Sequence, residues 1–214
     1  IFHQLLVNKN KINLPICILN IGGIANLTLI KEPTASFNFL SRDIGPGNCL
    51  IDTWVRKNSK EKFDRDGLLA ARGTRNEIIF EQAQELYVNR DIKKKSFDIS
   101  DFDISFIRGL NFEDGVSTLT DFTASIIGEE LFLTIKNSKE RIQNVLLCGG
   151  GRKNKILIKK IKECSTPKIN YKLVDDYKIN GDFVESQAFA YLAIRSSLKL
   201  PISFPTTTGC KEPT

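Results

Sequence analysis

Three glycine-rich turns, each preceded by a short apolar run, constrain the fold of this chain more than any other feature. The turns are Gly22–Gly23, Gly45–Asn48 and Gly149–Gly151. Short apolar runs bounded by glycine are typical of buried strands. Open α/β sheets bind ligands beyond the ends of their strands. The pattern therefore predicts an α/β protein with a ligand site at one edge of its sheet.

The apolar periodicity predicts the order of the elements. We expect strands over 16–21, 26–30, 36–40, 143–148 and 169–174, and helices from Cys49 and over 75–88, 116–136, 153–162 and 182–198. Residues 59–115 are predicted to form a helical or irregular insertion. The order β-β-β-α, inserted helices, β-α-β-α indicates a mixed sheet flanked by helices.

The composition is that of an ordinary globular protein, with 41% hydrophobic and 26% charged residues. The net charge of +6 raises the question of a nucleic-acid partner. The basic runs at 93–95 and 159–160 are short and lie near acidic residues, which favours solvated surfaces. We expect no nucleic-acid partner.

The five cysteines do not have the spacing of a metal site or a disulfide framework. Cys17 and Cys148 stand within apolar runs, as buried thiols of a reducing cytoplasm do. No apolar run approaches the roughly 20 residues of a membrane span. The sequence therefore predicts a cytoplasmic protein without a membrane partner.

The first two glycine turns are candidate phosphate sites. Glycines at 22 and 23 let a ligand approach the backbone amides, although a tight hairpin is the more ordinary use of such a pair. The second turn leads into a helix, whose amino end attracts anions. Asp43 before it is a candidate Mg²⁺ ligand, and its alternative role is helix capping or turn formation. The P-loop and Rossmann fingerprints are absent from the sequence.

The third turn is a candidate nucleoside site. Three consecutive glycines let a flat base or ribose lie against the backbone, while Arg152 or Asn154 offers polar contacts. A plain strand-to-helix connection is the alternative.

Two polar residues outside the three turns have ordinary explanations. Glu185 is placed to complement a helix dipole, and the single histidine, His3, is a poor catalytic candidate.

Five sequence strings, in this order, resemble the anhydro-N-acetylmuramic acid kinase family along the whole chain. They are LNIGGIANLT, DIGPGNCLID, LLCGGGRKN, VESQAFAYLA and LPISFPTTTG. Two positions depart from the family pattern. Ile44 stands where the family usually has threonine, and Ser186 stands where it usually has alanine.

The resemblance implies an actin-like, ribonuclease H-like sugar kinase of two lobes, with ATP and Mg²⁺ in the cleft between them. The family hydrolyses the anhydro ring of 1,6-anhydro-N-acetylmuramic acid and phosphorylates its 6-oxygen, giving N-acetylmuramic acid 6-phosphate in peptidoglycan recycling. Glu185 would then bind the sugar. The phosphate and Mg²⁺ side would be formed by Asn20, Gly22, Gly23, Asp43, Gly45, Gly47 and Asn48, and the nucleoside side by Gly149, Gly150, Gly151 and Asn154.

By this resemblance residues 1–214 correspond to the C-terminal lobe. The family's first phosphate loop and its catalytic aspartate have no counterpart in the sequence, and the aspartate is expected upstream of Ile1. We therefore expect a fragment that needs an N-terminal lobe, on the same or a separate polypeptide, and a homodimer by family analogy. The alternative is a catalytically inactive nucleotide-binding or dimerisation module.

Overall fold

A computed structural model describes residues 1–31, 39–88, 96–165 and 169–214. Five strands form one sheet: β1 (Ile16–Ile21), β2 (Ile24–Ile30), β3 (Phe39–Pro46), β4 (Asn144–Cys148) and β5 (Asn170–Leu173). The α-helices described are α1 (Phe2–Lys9), α2 (Cys49–Asn58), α3 (Glu77–Val88), α4 (Phe112–Lys136), α5 (Lys155–Cys164) and α6 (Val184–Ser197).

The sheet is mixed, with strand order β3-β2-β1-β4-β5. The first three strands form an antiparallel meander, and β4 and β5 run parallel to β1. The α/β class, the mixed sheet and the flanking helices are confirmed.

Alternate residues of the strands enter separate apolar clusters on the two faces of the sheet. Cys17, Leu19 and Ile21 of β1 pack with α4 and α5, whereas Ile16 and Ile18 pack with α1 and the start of α6. The side chains of both sets are almost fully buried. This alternation is what a strand covered on both faces requires, because neighbouring side chains point to opposite sides.

A further cluster lies beside the sheet, where α2, α3 and α4 meet around Trp54 and Phe122. Residues 59–115 contribute to it mainly through α3 and through the short 3₁₀ turns at 70–72 and 105–107. The indole nitrogen of Trp54 donates to the carbonyl of Phe112 at 3.0 Å. The domain boundaries of this region stay a prediction.

The sequence placed the third strand too early. It predicted a strand over 36–40 followed by a turn from Asp43, but β3 runs on to Pro46, and Ser36–Asn38 lie outside the described residues. The strand continues because a bulge at Ile44 shifts the register, so that Asp43 pairs with Asn26 and Gly45 with Ala25. Asp43 is therefore a strand residue.

The other predicted elements are present, with ends shifted by a few residues, and α1 was not predicted. Residues 89–95 of the predicted insertion, which include the basic run at 93–95, lie outside the described residues. Within the parts of the chain that the structure describes, the helices are all too short or too polar to span a bilayer.

Candidate functional site

The first and second glycine turns are joined by backbone hydrogen bonds. The amides of Gly47 and Cys49 donate to the Gly23 carbonyl at 2.9 and 3.1 Å, and the Asn48 amide donates to the Gly22 carbonyl at 2.8 Å. A Cβ atom on Gly47 would lie 2.4 Å from the Gly22 oxygen. Only glycine at position 47 lets the two turns approach this closely.

The third turn packs against the same place. Gly149 has a φ of +78°, and a Cβ atom there would lie 2.5 Å from Oδ1 of Asn20. A Cβ on Gly151 would lie 2.3 Å from Cγ2 of Ile21 and 3.1 Å from Nδ2 of Asn48. All three turns therefore meet at the carboxyl ends of the parallel strands β1 and β4, where the sequence predicted one shared site.

The amides at the start of α2 are not free, contrary to the expectation for the second turn. The Gly47, Asn48 and Cys49 amides already bind the first turn, as described above. Gly45 also faces inward, since a Cβ there would lie 2.6 Å from Cγ2 of Ile126. These groups build the shape of the site, and they leave the binding of an anion to other atoms.

Asp43 accepts three hydrogen bonds. Its Oδ1 accepts from Nδ2 of Asn26 at 3.0 Å, and its Oδ2 accepts from Oγ of Ser96 at 3.1 Å and from the Phe97 amide at 2.8 Å. Its carboxylate is thus held in a fixed orientation. Among the described residues no group of three or more His, Cys, Asp or Glu side chains could hold a metal ion.

Hydrogen-bonded polar side chains connect Asp43 with α1. Asn26, which donates to Asp43, accepts from the Ser41 hydroxyl at 3.3 Å. Thr28 lies within 2.9 Å of the Ser41 hydroxyl and 2.8 Å of Nδ1 of His3. Burial lowers the pKa of His3 to about 4. A neutral, half-buried imidazole that is hydrogen-bonded to a threonine is a structural group, as expected for a poor catalytic candidate.

A cavity of about 410 Å³ adjoins the third turn. Its walls come from the start of α2, from residues 63–66 and from the third turn with Lys153 and Asn154. A Cβ atom on Gly150 would have no heavy atom within 4 Å, so this glycine faces open space. The volume falls in the range of small-molecule sites.

Two carboxylates in this cavity differ in their bonding. Asp64 is buried, and its oxygens accept from the amides of Leu69 at 2.8 Å and Ala70 at 3.1 Å. Asp52 on α2 has a contact of only 3.9 Å with Arg56. Burial raises the pKa of Asp52 to about 6, Arg56 opposes that rise, and Asp64 adds to it. The sequence gave no signal for Asp52 beyond a carboxylate in the first turn of a helix.

The side chains of Asn154 and Arg152, the two polar residues beside the third turn, already make hydrogen bonds within the fold. Oδ1 of Asn154 caps α5 by accepting from the Leu157 amide at 3.0 Å. Arg152 is buried, and its guanidinium donates to Asp175 at 2.7 and 3.0 Å, to Asp182 at 2.9 Å and to the Gly149 carbonyl at 2.9 Å. Both side chains therefore hold the turn in place.

Glu185 lies exposed in the first turn of α6, as predicted. Its helix is tied to the third turn, because Asp182 just before α6 pairs with both Arg152 and Lys153. Sequence reasoning missed this link. An arginine directly after a glycine run and an aspartate directly before a helix were its only traces.

A protein-family model and several named relatives match this chain. The family model described as anhydro-N-acetylmuramic acid kinase matches residues 1–214. Proteins of that name from Pelagibacter ubique, Zymomonas mobilis and Caulobacter vibrioides are 50%, 35% and 35% identical over 214, 199 and 213 residues. These matches cover 100%, 93% and 100% of this chain, and 57%, 52% and 55% of the relatives. The chain thus spans about half their length.

Among solved structures, the chain is similar to the activator of the 2-hydroxyisocaproyl-CoA dehydratase from Clostridium difficile with bound ADPNP. The TM-score is 0.49 at 15% identity, and the match covers 92% of this chain and 67% of that one.

Proposed function

This chain belongs to the anhydro-N-acetylmuramic acid kinase family, and on that premise we propose that it forms the ATP-binding lobe of a kinase for 1,6-anhydro-N-acetylmuramic acid. The observation that carries the proposal is the meeting of the three glycine turns at one edge of the sheet. Family membership alone would not say where ATP binds. The turns supply a surface without side chains beside a cavity of suitable size.

We assign the nucleoside to Gly149, Gly150, Gly151 and the cavity, because Gly150 faces open space there. The phosphates then extend toward the first and second turns, beside Asn20, Gly22, Gly23, Gly47 and Asn48. Gly45 and the amides of the second turn support that surface from beneath. Asn154 acts by fixing the start of α5 at the edge of the cavity.

Mg²⁺ would be held near Asp43. The ion commonly keeps several waters and uses one or two carboxylates together with substrate phosphates. A single carboxylate whose orientation is fixed by three donors fits this use, with the contact made through water. When bound, the ion would neutralise phosphate charge during transfer.

The sugar would bind at Glu185, whose exposed carboxylate can accept hydrogen bonds from hydroxyl groups. In the proposed reaction water opens the 1,6-anhydro ring and the γ-phosphoryl group of ATP passes to the 6-oxygen. The products are ADP and N-acetylmuramic acid 6-phosphate, and we propose that the enzyme acts in peptidoglycan recycling in the cytoplasm. The base that activates the water is assigned to an aspartate outside these 214 residues.

Catalysis therefore needs a second lobe. Phosphoryl transfer depends on positioning and on charge stabilisation from groups on both sides of the bound phosphates. The described residues offer one side of such a cleft, and the chain spans about half the length of its relatives. We propose that residues outside this sequence supply the other lobe, and that the complete enzyme is a homodimer.

The experiment is an ATP-consumption assay with 1,6-anhydro-N-acetylmuramic acid and Mg²⁺. It uses the chain alone and the chain mixed with the complementing segment, which we define as the part of the Pelagibacter ubique relative that this chain does not match. We expect turnover only in the mixture. Turnover by the chain alone would contradict the assignment of the base and point to Asp43, Asp182 or Glu185. Inactivity of both samples would favour a binding module without catalysis.

A further inference from the structure

The cavity beside the third turn contains one half-buried carboxylate with no strong partner among the described residues. Asp52 lies on α2 with a quarter of its side chain exposed, and the nearest cationic atom, Nη1 of Arg56, is 3.9 Å away. Among the described residues, no backbone amide or hydroxyl donates to its oxygens within hydrogen-bond distance. A half-buried carboxylate without donors is costly in a fold unless something else binds it.

The other charged groups around the cavity either have partners or are exposed to solvent. Both oxygens of Asp64 accept backbone amides. The ammonium of Lys153 pairs with Asp182 at 2.6 Å, and the guanidinium of Arg65 lies over the Phe63 ring at 5.6 Å. Asp66 is exposed. Among the carboxylates that line this cavity, Asp52 is therefore the half-buried one without a hydrogen-bond donor from the described residues.

The rest of the cavity fits a nucleoside. Ile51 and the half-exposed Phe63 form an apolar wall of the cavity. Gly150, which has no side chain, leaves the backbone surface of the cavity open to a ligand. Aromatic and aliphatic side chains favour the faces of a base. A carboxylate beside such a surface is the group that accepts hydrogen bonds from ribose hydroxyls in other nucleotide folds.

We propose that Asp52 binds the ribose hydroxyls of the nucleotide, so that the site selects ribonucleotides over 2′-deoxyribonucleotides. This inference rests on the proposed nucleotide site and adds a specificity residue to it. Hydroxyl groups donate, and the charged carboxylate accepts. A deoxyribose leaves one such bond unmade, and hydrogen bonds to charged groups are among the stronger ones.

The test measures dissociation constants for ATP and 2′-deoxy-ATP with Mg²⁺, on the chain mixed with the complementing segment. The variants are Asp52→Ala and, as a matched control, Asp66→Asn, which removes a charge from the same cavity rim. We expect the unaltered chain to bind ATP about tenfold more tightly than 2′-deoxy-ATP. Asp52→Ala should reduce this ratio to about twofold or less, while Asp66→Asn should keep it.

The control separates hydrogen bonding from charge repulsion. Loss of either carboxylate weakens repulsion of the triphosphate, which changes both affinities together and leaves their ratio intact. Equal binding of the two nucleotides by the unaltered chain would overturn the role of Asp52 and leave the nucleotide site standing. A ratio that survives Asp52→Ala would do the same. Binding of neither nucleotide would overturn the proposed site and this inference with it.

Discussion

At the scale of single residues, the glycines divide into two kinds. Gly47 and Gly149 allow backbone segments to approach each other, because a Cβ atom at either position would meet backbone or amide atoms within 2.5 Å. Gly150 meets nothing within 4 Å. The sequence shows all of them as turn glycines, and only their surroundings tell which one faces a ligand.

Gly150→Val should therefore impair nucleotide binding without harming the fold. The new side chain would occupy the open surface assigned to the nucleoside, so we expect the affinity for ATP to fall at least about tenfold. The melting temperature should stay within about 3 °C of the original. Calorimetric titration and thermal unfolding measure the two effects. Unchanged affinity would exclude Gly150 from the site.

Gly47→Ala is the opposite case. Its Cβ would lie 2.4 Å from a backbone oxygen that cannot move without separating the first two turns. We expect a loss of about 1–3 kcal/mol in the free energy of unfolding. Urea denaturation measures it, with Gly22→Ala as the control, because a Cβ there makes only an ordinary 3.5 Å contact. Equal losses in the two variants would contradict the packing described for Gly47.

Asp52 should make stability depend on pH. Its folded pKa of about 6 lies above the ordinary value of 3.8, because burial outweighs the opposing charge of Arg56 while Asp64 adds to the rise. Its destabilising contribution is absent below about pH 4 and grows as the pH rises to about 6. Asp52→Asn should therefore stabilise the chain on the order of 1–2 kcal/mol at pH 8, a value discounted for partial exposure, and very little at pH 4. Urea denaturation at both pH values measures the difference. A pH-independent effect would contradict the buried charge.

At the scale of elements, the sequence predicted the strands and helices better than their ends. Strand β1 and the start of α2 agree with the prediction because alternation and spacing identify them directly. Strand β3 was misplaced, since glycine and proline normally mark a turn, while here a bulge carries the pairing past them. Helix α1 was missed because a helix of only 8 residues gives a weak periodic pattern.

The location of the candidate site could also be predicted better than its atomic detail. The convergence of three turns could be predicted, because parallel strands bring their carboxyl ends to one edge. The bonding of individual atoms could not, since it depends on neighbours distant in sequence. Arg152 contacts Asp175 and Asp182, and the amides of the second turn bind the first turn. No local pattern reports such contacts.

Arg152→Ala tests the link between the third turn and α6. It removes a buried guanidinium from two aspartates that are 40% and 46% exposed, so water can partly solvate them. We expect a loss of about 2 kcal/mol in the free energy of unfolding and a raised KM for the sugar, because α6 carries Glu185. Lys153→Ala removes an exposed partner of the same Asp182 and should cost less than about 1 kcal/mol. Equal effects in both variants would contradict a special role for Arg152.

At the scale of the whole molecule, α6 and the segment after it expose large apolar side chains. Phe189, Ile194 and Leu198 are 66%, 58% and 63% exposed. The helix contacts α1 through Tyr191, whose ring centroid lies 6.0 Å from that of Phe2. Exposed apolar surface of this kind commonly marks an interface.

If α6 faces the proposed second lobe, the chain alone should bind the dye ANS strongly and the complementing segment should reduce that fluorescence. Phe189→Ser should lower the signal of the isolated chain and weaken association with the segment. Leu86→Ser is the matched control on α3, where Leu86 is 65% exposed. Sedimentation with labelled segment measures the association. If Leu86→Ser weakens it and Phe189→Ser does not, the second lobe packs elsewhere.

The central claim, that three glycine turns form one nucleotide site, is tested most directly by amide NMR spectra of the ¹⁵N-labelled chain during titration with ATP and Mg²⁺. We expect the largest shifts at Gly22, Gly23, Gly150 and Gly151, following one binding curve. The amides of Gly109 and Gly209 should stay unchanged, since both lie outside the three turns. Shifts confined to one turn, shifts centred elsewhere, or no shifts at saturating ATP would contradict the claim.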